Sequence, residues 1–187
     1  MTSHVRFALT VIAASLFAGC AAVPDDSPVV EKLDQDTGLT IARLGRPVEV
    51  YRENLLKDPM GRFAFIGPFE TNQMGTREQF LWISVPIQLA EQDAPPVLEV
   101  NGKPLALGTP GRKPDFAGLT RSPYKIPTPW SAMFYYRADS ALIDALGETS
   151  SITLRILEPT RGGPVKSTFS VQLEPGDSRL RDFAARE

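Results

Sequence analysis

Histidine occurs once in this chain, at His4, and cysteine once, at Cys20. Both lie near the N-terminus, so a chain that loses its first nineteen residues as a leader has no imidazole at all. That excludes Ser-His-Asp and Cys-His nucleophile pairs, which need imidazole as the base. It equally excludes zinc sites built on His or Cys, and haem held through those side chains. Chemistry with what is left would need paired carboxylates, a Ser-Lys dyad or a carboxylate-bound hard cation. A lone cysteine offers no partner for an internal disulfide. Runs long enough to cross a membrane are missing too: Phe7 to Phe17 is eleven residues, against the roughly 20 that a spanning helix needs. Positive charge is not in excess either. The chain has 20 Lys and Arg against 22 Asp and Glu, a formal charge of −2, or −3 once Arg6 is removed. Nucleic-acid surfaces carry clustered excess cations, so no nucleic-acid partner is expected. Solenoid repeats and phosphate-cradling glycine motifs are absent as well, and no cofactor is expected.

What is present begins with a leader. Met1 to Arg6 carries a single arginine, the apolar run that follows is broken only by Thr10 and Ser15, and small residues come next. That is a secretory signal pattern. The stretch Leu16-Phe17-Ala18-Gly19-Cys20 resembles the bacterial lipoprotein signal, in which small residues precede a cysteine that is lipidated and becomes the new N-terminus. Ala18-Gly19-Cys20 carries the match; Phe17 stands where the family prefers an aliphatic residue, and Leu16 lies one place further back. The alternative is an ordinary signal peptide cut elsewhere, which leaves Cys20 a free thiol or removes it. The resemblance covers residues 1 to 20 and implies lipidation at Cys20. It also implies several acyl chains holding the protein on a membrane, each buried methylene contributing about 0.8 kcal/mol. Ala21, rather than Asp, implies release to the outer membrane, on its periplasmic face. The expected organisation is a signal peptide over 1–19, a lipidated tether over 20–36 rich in Pro, Asp and Ser, and one domain over 37–187.

Through that domain the apolar residues alternate with period two. Leu39 and Ile41, Val48 and Val50, and Phe63 and Phe65 mark short strands, with Gly67-Pro68 read as a bulge or an edge position. Glu78 to Leu89 is the longest strand candidate: Leu81, Ile83, Val85, Ile87 and Leu89 face the core, which throws Phe80 and Trp82 onto the opposite face. Asn101-Gly102 between apolar runs marks a two-residue hairpin. Further strands are expected over Ser131 to Arg137, around Ile152 to Ile156 and over Val165 to Leu173. Asp139 to Gly147 reads as a short helix, capped by Asp139 and stopped by Gly147 in a left-handed conformation. Asp177 to Arg186 reads as a terminal helical turn docked through Leu180 and Phe183. The expected fold is all-β with minor α, an immunoglobulin-like antiparallel β-sandwich carrying one or two short helices, with a small β-barrel as the alternative. The stretch Asp34 to Gly38 has some oxygen ligands of a calcium loop but lacks the rest, and reads as a turn.

Two stretches are candidate contact regions. The first, Glu70 to Arg77, reads as a polar loop offering Glu70, Asn72, Gln73, Met74 and Arg77. The second, Gly108 to Pro129, is rich in proline and carries Arg112, Lys113, Arg121 and Lys125 against one Asp115. Tyr124, together with Trp130 just beyond it, would be its anchor in a contact surface. In the competing reading the stretch is a strap whose aromatics cap the core. The functional expectation is a non-enzymatic envelope lipoprotein that binds an envelope protein or a cell-wall component through these regions. The alternatives are a glycan hydrolase using Glu70 and Glu78, and an inhibitor that inserts the Pro-rich loop into an enzyme cleft.

Overall fold

The structure is a computed structural model and describes residues 28–52, 63–86, 95–125, 131–158 and 165–186. It holds ten strands: β1 (Val29–Asp34), β2 (Leu39–Leu44), β3 (Val48–Arg52), β4 (Phe63–Gln73), β5 (Thr76–Pro86), β6 (Val97–Val100), β7 (Lys103–Pro104), β8 (Ser131–Ala138), β9 (Ser151–Glu158) and β10 (Val165–Gln172). A 3₁₀ turn covers Pro114–Ala117, and two helices follow, α1 (Ser140–Gly147) and α2 (Arg179–Ala184). Every strand pairing is antiparallel. The all-β, minor-α expectation is met. The strands form one hydrogen-bonded network in the order β1-β2-β4-β3-β10-β9-β6-β7, and β5 links β4 to β8.

One strand in this network is broken in the middle. β2 and β3 run along the same edge of β4, but Arg43 faces Phe69 while Val48 faces Ile66. Residues 44–47 therefore oppose only Gly67 and Pro68, an insertion of the kind that bends a strand and changes its neighbours. Before the break the outer neighbour is β1; after it, β10. Pro68 sits inside β4 rather than ending it. A strand residue points its N–H and C=O to the same side, and the Pro68 carbonyl is bonded by Tyr124 at the break. The missing proline N–H thus falls where no ladder bond was available.

The register confirms the two faces read from the long strand. Leu81, Ile83 and Val85 share one side with Phe134 and Tyr136 across β8; Phe80 and Trp82 share the other with Arg137 and Tyr135. Both sides are buried, and Phe80 and Trp82 are fully covered. The cover on their side is the strap. It leaves β7 at one end of the network and pairs Gly111 with Tyr135 of β8 at the other. Phe116 then packs edge-on to Phe80, with ring centroids 6.4 Å apart. Ile87 and Leu89, Trp130 and the expected turn at 161–164 lie outside the described residues.

Three expectations are corrected. The tether does not extend to residue 36: residues 29–34 form β1, paired along its length with β2. Glu31 and Lys32 disguise it, because an edge strand with exposed charges has the composition of a linker. Asp34 to Gly38 is then the β1–β2 turn, closed by the Gly38 N–H on the Asp34 carbonyl at 2.7 Å. Second, the loop expected over Glu70 to Arg77 is mostly strand, with a turn of two residues, Met74 and Gly75. Third, α1 is capped as expected by Asp139, whose carboxylate accepts from the Leu142 N–H at 2.8 Å, but Gly147 does not adopt the left-handed stop. It permits close approach instead. A Cβ there would lie 2.7 Å from that of Ala184 on α2, and α2 docks by burying Leu180 and Phe183.

Candidate functional site

The strap resolves into an inner and an outer face. Tyr124 is buried, so it is not the exposed anchor of a contact surface; its ring lies 5.1 Å from that of Trp82. The hydroxyl accepts from the Leu44 N–H at 3.2 Å and donates to the Pro68 carbonyl. Those are backbone groups that the break in β2–β3 takes out of the ladder. Arg43 completes the repair: its guanidinium donates to the Leu44 and Gly45 carbonyls at 2.8 and 3.0 Å and lies over the Tyr124 ring. Gly67 is required beneath, since a Cβ would come within 2.5 Å of the Tyr124 ring. Burial raises the Tyr124 hydroxyl well above the usual phenol range, against the lowering effect of the Leu44 hydrogen bond and of Arg43. The capping reading therefore describes this part of the strap. Its cations stay outside: Arg112, Lys113 and Arg121 are exposed, and Arg112 stacks 4.0 Å above the Phe134 ring.

The β4–β5 hairpin presents the other candidates. Gln73 and Thr76 close the turn as the last pair of the ladder. Met74 and Gly75 both take positive φ, 52° and 91°, as a type I′ turn requires. Asn72 supports the turn by accepting from the Gly75 N–H at 3.0 Å. Met74 is fully exposed. An apolar, non-glycine side chain in a left-handed conformation costs roughly 1–2 kcal/mol, where Asn is the usual occupant.

Just behind the tip the register separates the two glutamates. Glu70 pairs with Gln79 and Thr71 with Glu78, so Glu70 and Glu78 project from opposite faces of the hairpin. Each meets an arginine: Glu78 binds Arg137 at 2.6 Å, while Glu70 lies 3.8 Å from Arg77. The Glu70 side chain is nine-tenths buried. Both glutamates nonetheless reach one open cleft of about 470 Å³, shared with Arg77, Gln79, Arg137 and Arg186. Arg186, just past α2, also pairs with Glu31 of β1. Sequence reading missed Arg137 and Arg186, because nothing local connects them to the hairpin.

No protein-family model, curated protein or solved structure matches this chain. The site must be read from its own geometry. Among the described residues there is no cluster of three or more His, Cys, Asp or Glu able to hold a metal ion, and no helix is long and apolar enough to cross a membrane. Cys20 and Trp130 lie outside the described residues. Of the candidate contact residues, Asn72, Gln73, Met74 and Arg77 come together at one end of the hairpin, and Glu70 lies just behind them. Arg112, Lys113 and Arg121 belong to the strap that covers Phe80 and Trp82.

Proposed function

We propose that this protein is a lipoprotein acylated at Cys20, held on the periplasmic face of the outer membrane. It acts there as a non-enzymatic binding module that presents the tip of the β4–β5 hairpin to another envelope protein. The observation that carries this reading is Met74, fully exposed and held at φ 52°. Strain of this sort persists where it serves a function, and a rigid hairpin places the side chain with little loss of freedom on binding. Asn72, Gln73 and Arg77 supply the polar rim around it. The hydrolase alternative gains no support: its two carboxylates project from opposite faces and each is engaged by an arginine. The inhibitor alternative needs a free loop, whereas the strap carries its tyrosine inward.

The test is a photoactivatable residue at position 74 of the intact lipoprotein in living cells, compared with one at the exposed Lys103. The expected result is a discrete protein adduct from 74, missing from 103 and competed by excess unlabelled wild type but not by Met74→Asn. That substitution relieves the backbone strain, so it should stabilise the fold by about 0.5–1 kcal/mol while binding is lost. Equal adducts from both positions, or competition by Met74→Asn as strong as by wild type, would reject the tip as the contact. Cys20→Ser tests the anchor separately, by moving the protein from the membrane to the soluble fraction.

A further inference from the structure

Under the strap, Trp82 Nε1, Ser84 Oγ and Ser122 Oγ are buried and make no hydrogen bond. Each lies next to Tyr135 or Met133 of β8. Tyr135 exchanges its backbone bonds with Gly111 on the outer side of β8. Tyr135–Trp82 and, two residues away, Met133–Ser84 are therefore the cross-strand pairs without ladder bonds, whose side chains stand closest. The Tyr135 hydroxyl donates to the Met133 sulfur at 3.5 Å. Burial raises the pKa of that hydroxyl, and Ser122 and Trp82 beside it act in the opposite direction. Met133 itself is partly buried against the core. Its thioether is a weak acceptor, whereas every buried donor left unpaired costs stability.

We propose that Met133 is a sulfoxidation site, where the oxygen added to the thioether is held by these donors. The oxidant is hydrogen peroxide. The sulfur lone pair attacks one peroxide oxygen, the O–O bond breaks as the S–O bond forms, and the other oxygen leaves as water with both protons. Sulfur loses two electrons and the peroxide gains them. A sulfoxide in an apolar contact normally loosens the packing, because it sets a polar oxygen among carbons. Here the oxygen arrives beside an indole N–H and the hydroxyls of Ser84, Ser122 and Tyr135. The unpartnered atoms are sealed from solvent, so a diffusible ligand does not reach them; an acceptor formed on a neighbouring side chain does. Ser84 belongs to β5, Met133 to β8 and Ser122 to the strap, so the oxygen ties together the segments that meet there. Oxidation tightens the strap instead of releasing it.

The test treats the folded mature chain carrying Cys20→Ser and Met60→Leu with hydrogen peroxide. Peptide mass mapping follows the oxygen on Met133, with the fully exposed Met74 as the reference. Urea midpoints before and after oxidation are then compared in the same chain carrying Met74→Leu, where Met133 is the last methionine. The expected result is that Met133 gains one oxygen once Met74 is converted, and that the midpoint stays level or rises. In Tyr135→Phe and in Ser84→Ala, each short of one donor, oxidation should lower the midpoint by about 0.5 M, the loss of one hydrogen bond. Each variant is read against its own unoxidised form, so the cost of the substitution itself does not enter. Met133→Leu should show no shift on treatment. A Met133 that stays reduced after full conversion of Met74, a midpoint that falls in the parent as far as in the two variants, or a shift that persists in Met133→Leu would overturn the proposal.

Discussion

Replacing Tyr124 with phenylalanine removes one oxygen and deprives two buried backbone groups of their partner. The Leu44 N–H loses its acceptor and the Pro68 C=O its donor, while the ring keeps its place over Gly67 and beside Trp82. Leaving one such group unpaired costs about 1–3 kcal/mol. With some relaxation around the missing oxygen, the pair should cost about 2–4 kcal/mol. For a chain of this size that lowers the thermal midpoint by roughly 5–15 °C. The assay is urea unfolding of the mature chain carrying Cys20→Ser, followed by tryptophan fluorescence, since Trp82 packs against the ring that changes. A double-mutant cycle isolates the ring. Gly67→Ala should cost about 1–3 kcal/mol through overpacking in the wild type, and much less beside Tyr124→Ala, where the clashing atoms are gone. A Tyr124→Phe loss below about 0.5 kcal/mol, together with additivity of the Gly67 and Tyr124 changes, would refute the view that this residue locks the break in β2–β3.

Burial raises Tyr124 and Tyr136 above the usual phenol range, so above pH of about 10 the unfolded chain releases protons that the folded chain keeps. Stability is accordingly full below that pH and falls as pH rises past it, with a shallower fall in Tyr124→Phe; unfolding midpoints across the alkaline range measure this. Gly147→Ala should cost about 1–3 kcal/mol because the new methyl meets Ala184, and Ala184→Gly in the same chain should recover most of the loss in a urea titration. Asp139→Ala removes the cap of α1 and should cost about 1 kcal/mol, visible as a lower urea midpoint with an unchanged slope.

Much of the sheet was legible because its signals are local. The alternation of Leu81, Ile83 and Val85 assigned both faces of β5, and Asn101-Gly102, with φ of 48° and 74°, named its turn. The Asp139 cap was legible for the same reason: donor and acceptor lie three residues apart. The strap was not, because the partners of Tyr124 are 80 and 56 residues away at Leu44 and Pro68. A tyrosine in a Pro-rich, cationic stretch has the composition of a contact surface whether its hydroxyl meets solvent or a buried amide. The hairpin failed in the opposite direction. Thr71, Asn72 and Gln73 have the composition of a loop, yet their backbone is held by pairing with β5, and β pairing is decided by neighbours more than by intrinsic preference. The cleft needed Arg137 and Arg186, which only the fold brings to the hairpin.

The break in β2–β3 also orients the proposed binding end. Val29, where the chain enters the sheet, pairs with Leu44 at the break, and Asp34 pairs with Leu39, one residue from Thr40 and its partner Asn72. Travelling along β1 thus carries the chain roughly 17 Å, at about 3.3 Å per residue, from the entry point towards the level of the hairpin tip. The stretch from Cys20 to Pro28 can extend at most about 3.3–3.6 Å per residue, so the acylation proposed at Cys20 would keep the break end within about 30 Å of the lipid. Met74 stands at the end of the sheet remote from the point where the chain enters it. With that proposed tether drawn in, a partner buried in the same membrane would meet the break and the strap, whereas one reached through Met74 would approach from the periplasm. A crosslink from position 74 to a soluble or cell-wall-bound protein is therefore consistent with anchoring at Cys20, and one to an integral outer-membrane protein requires that protein to extend a segment well beyond the bilayer surface.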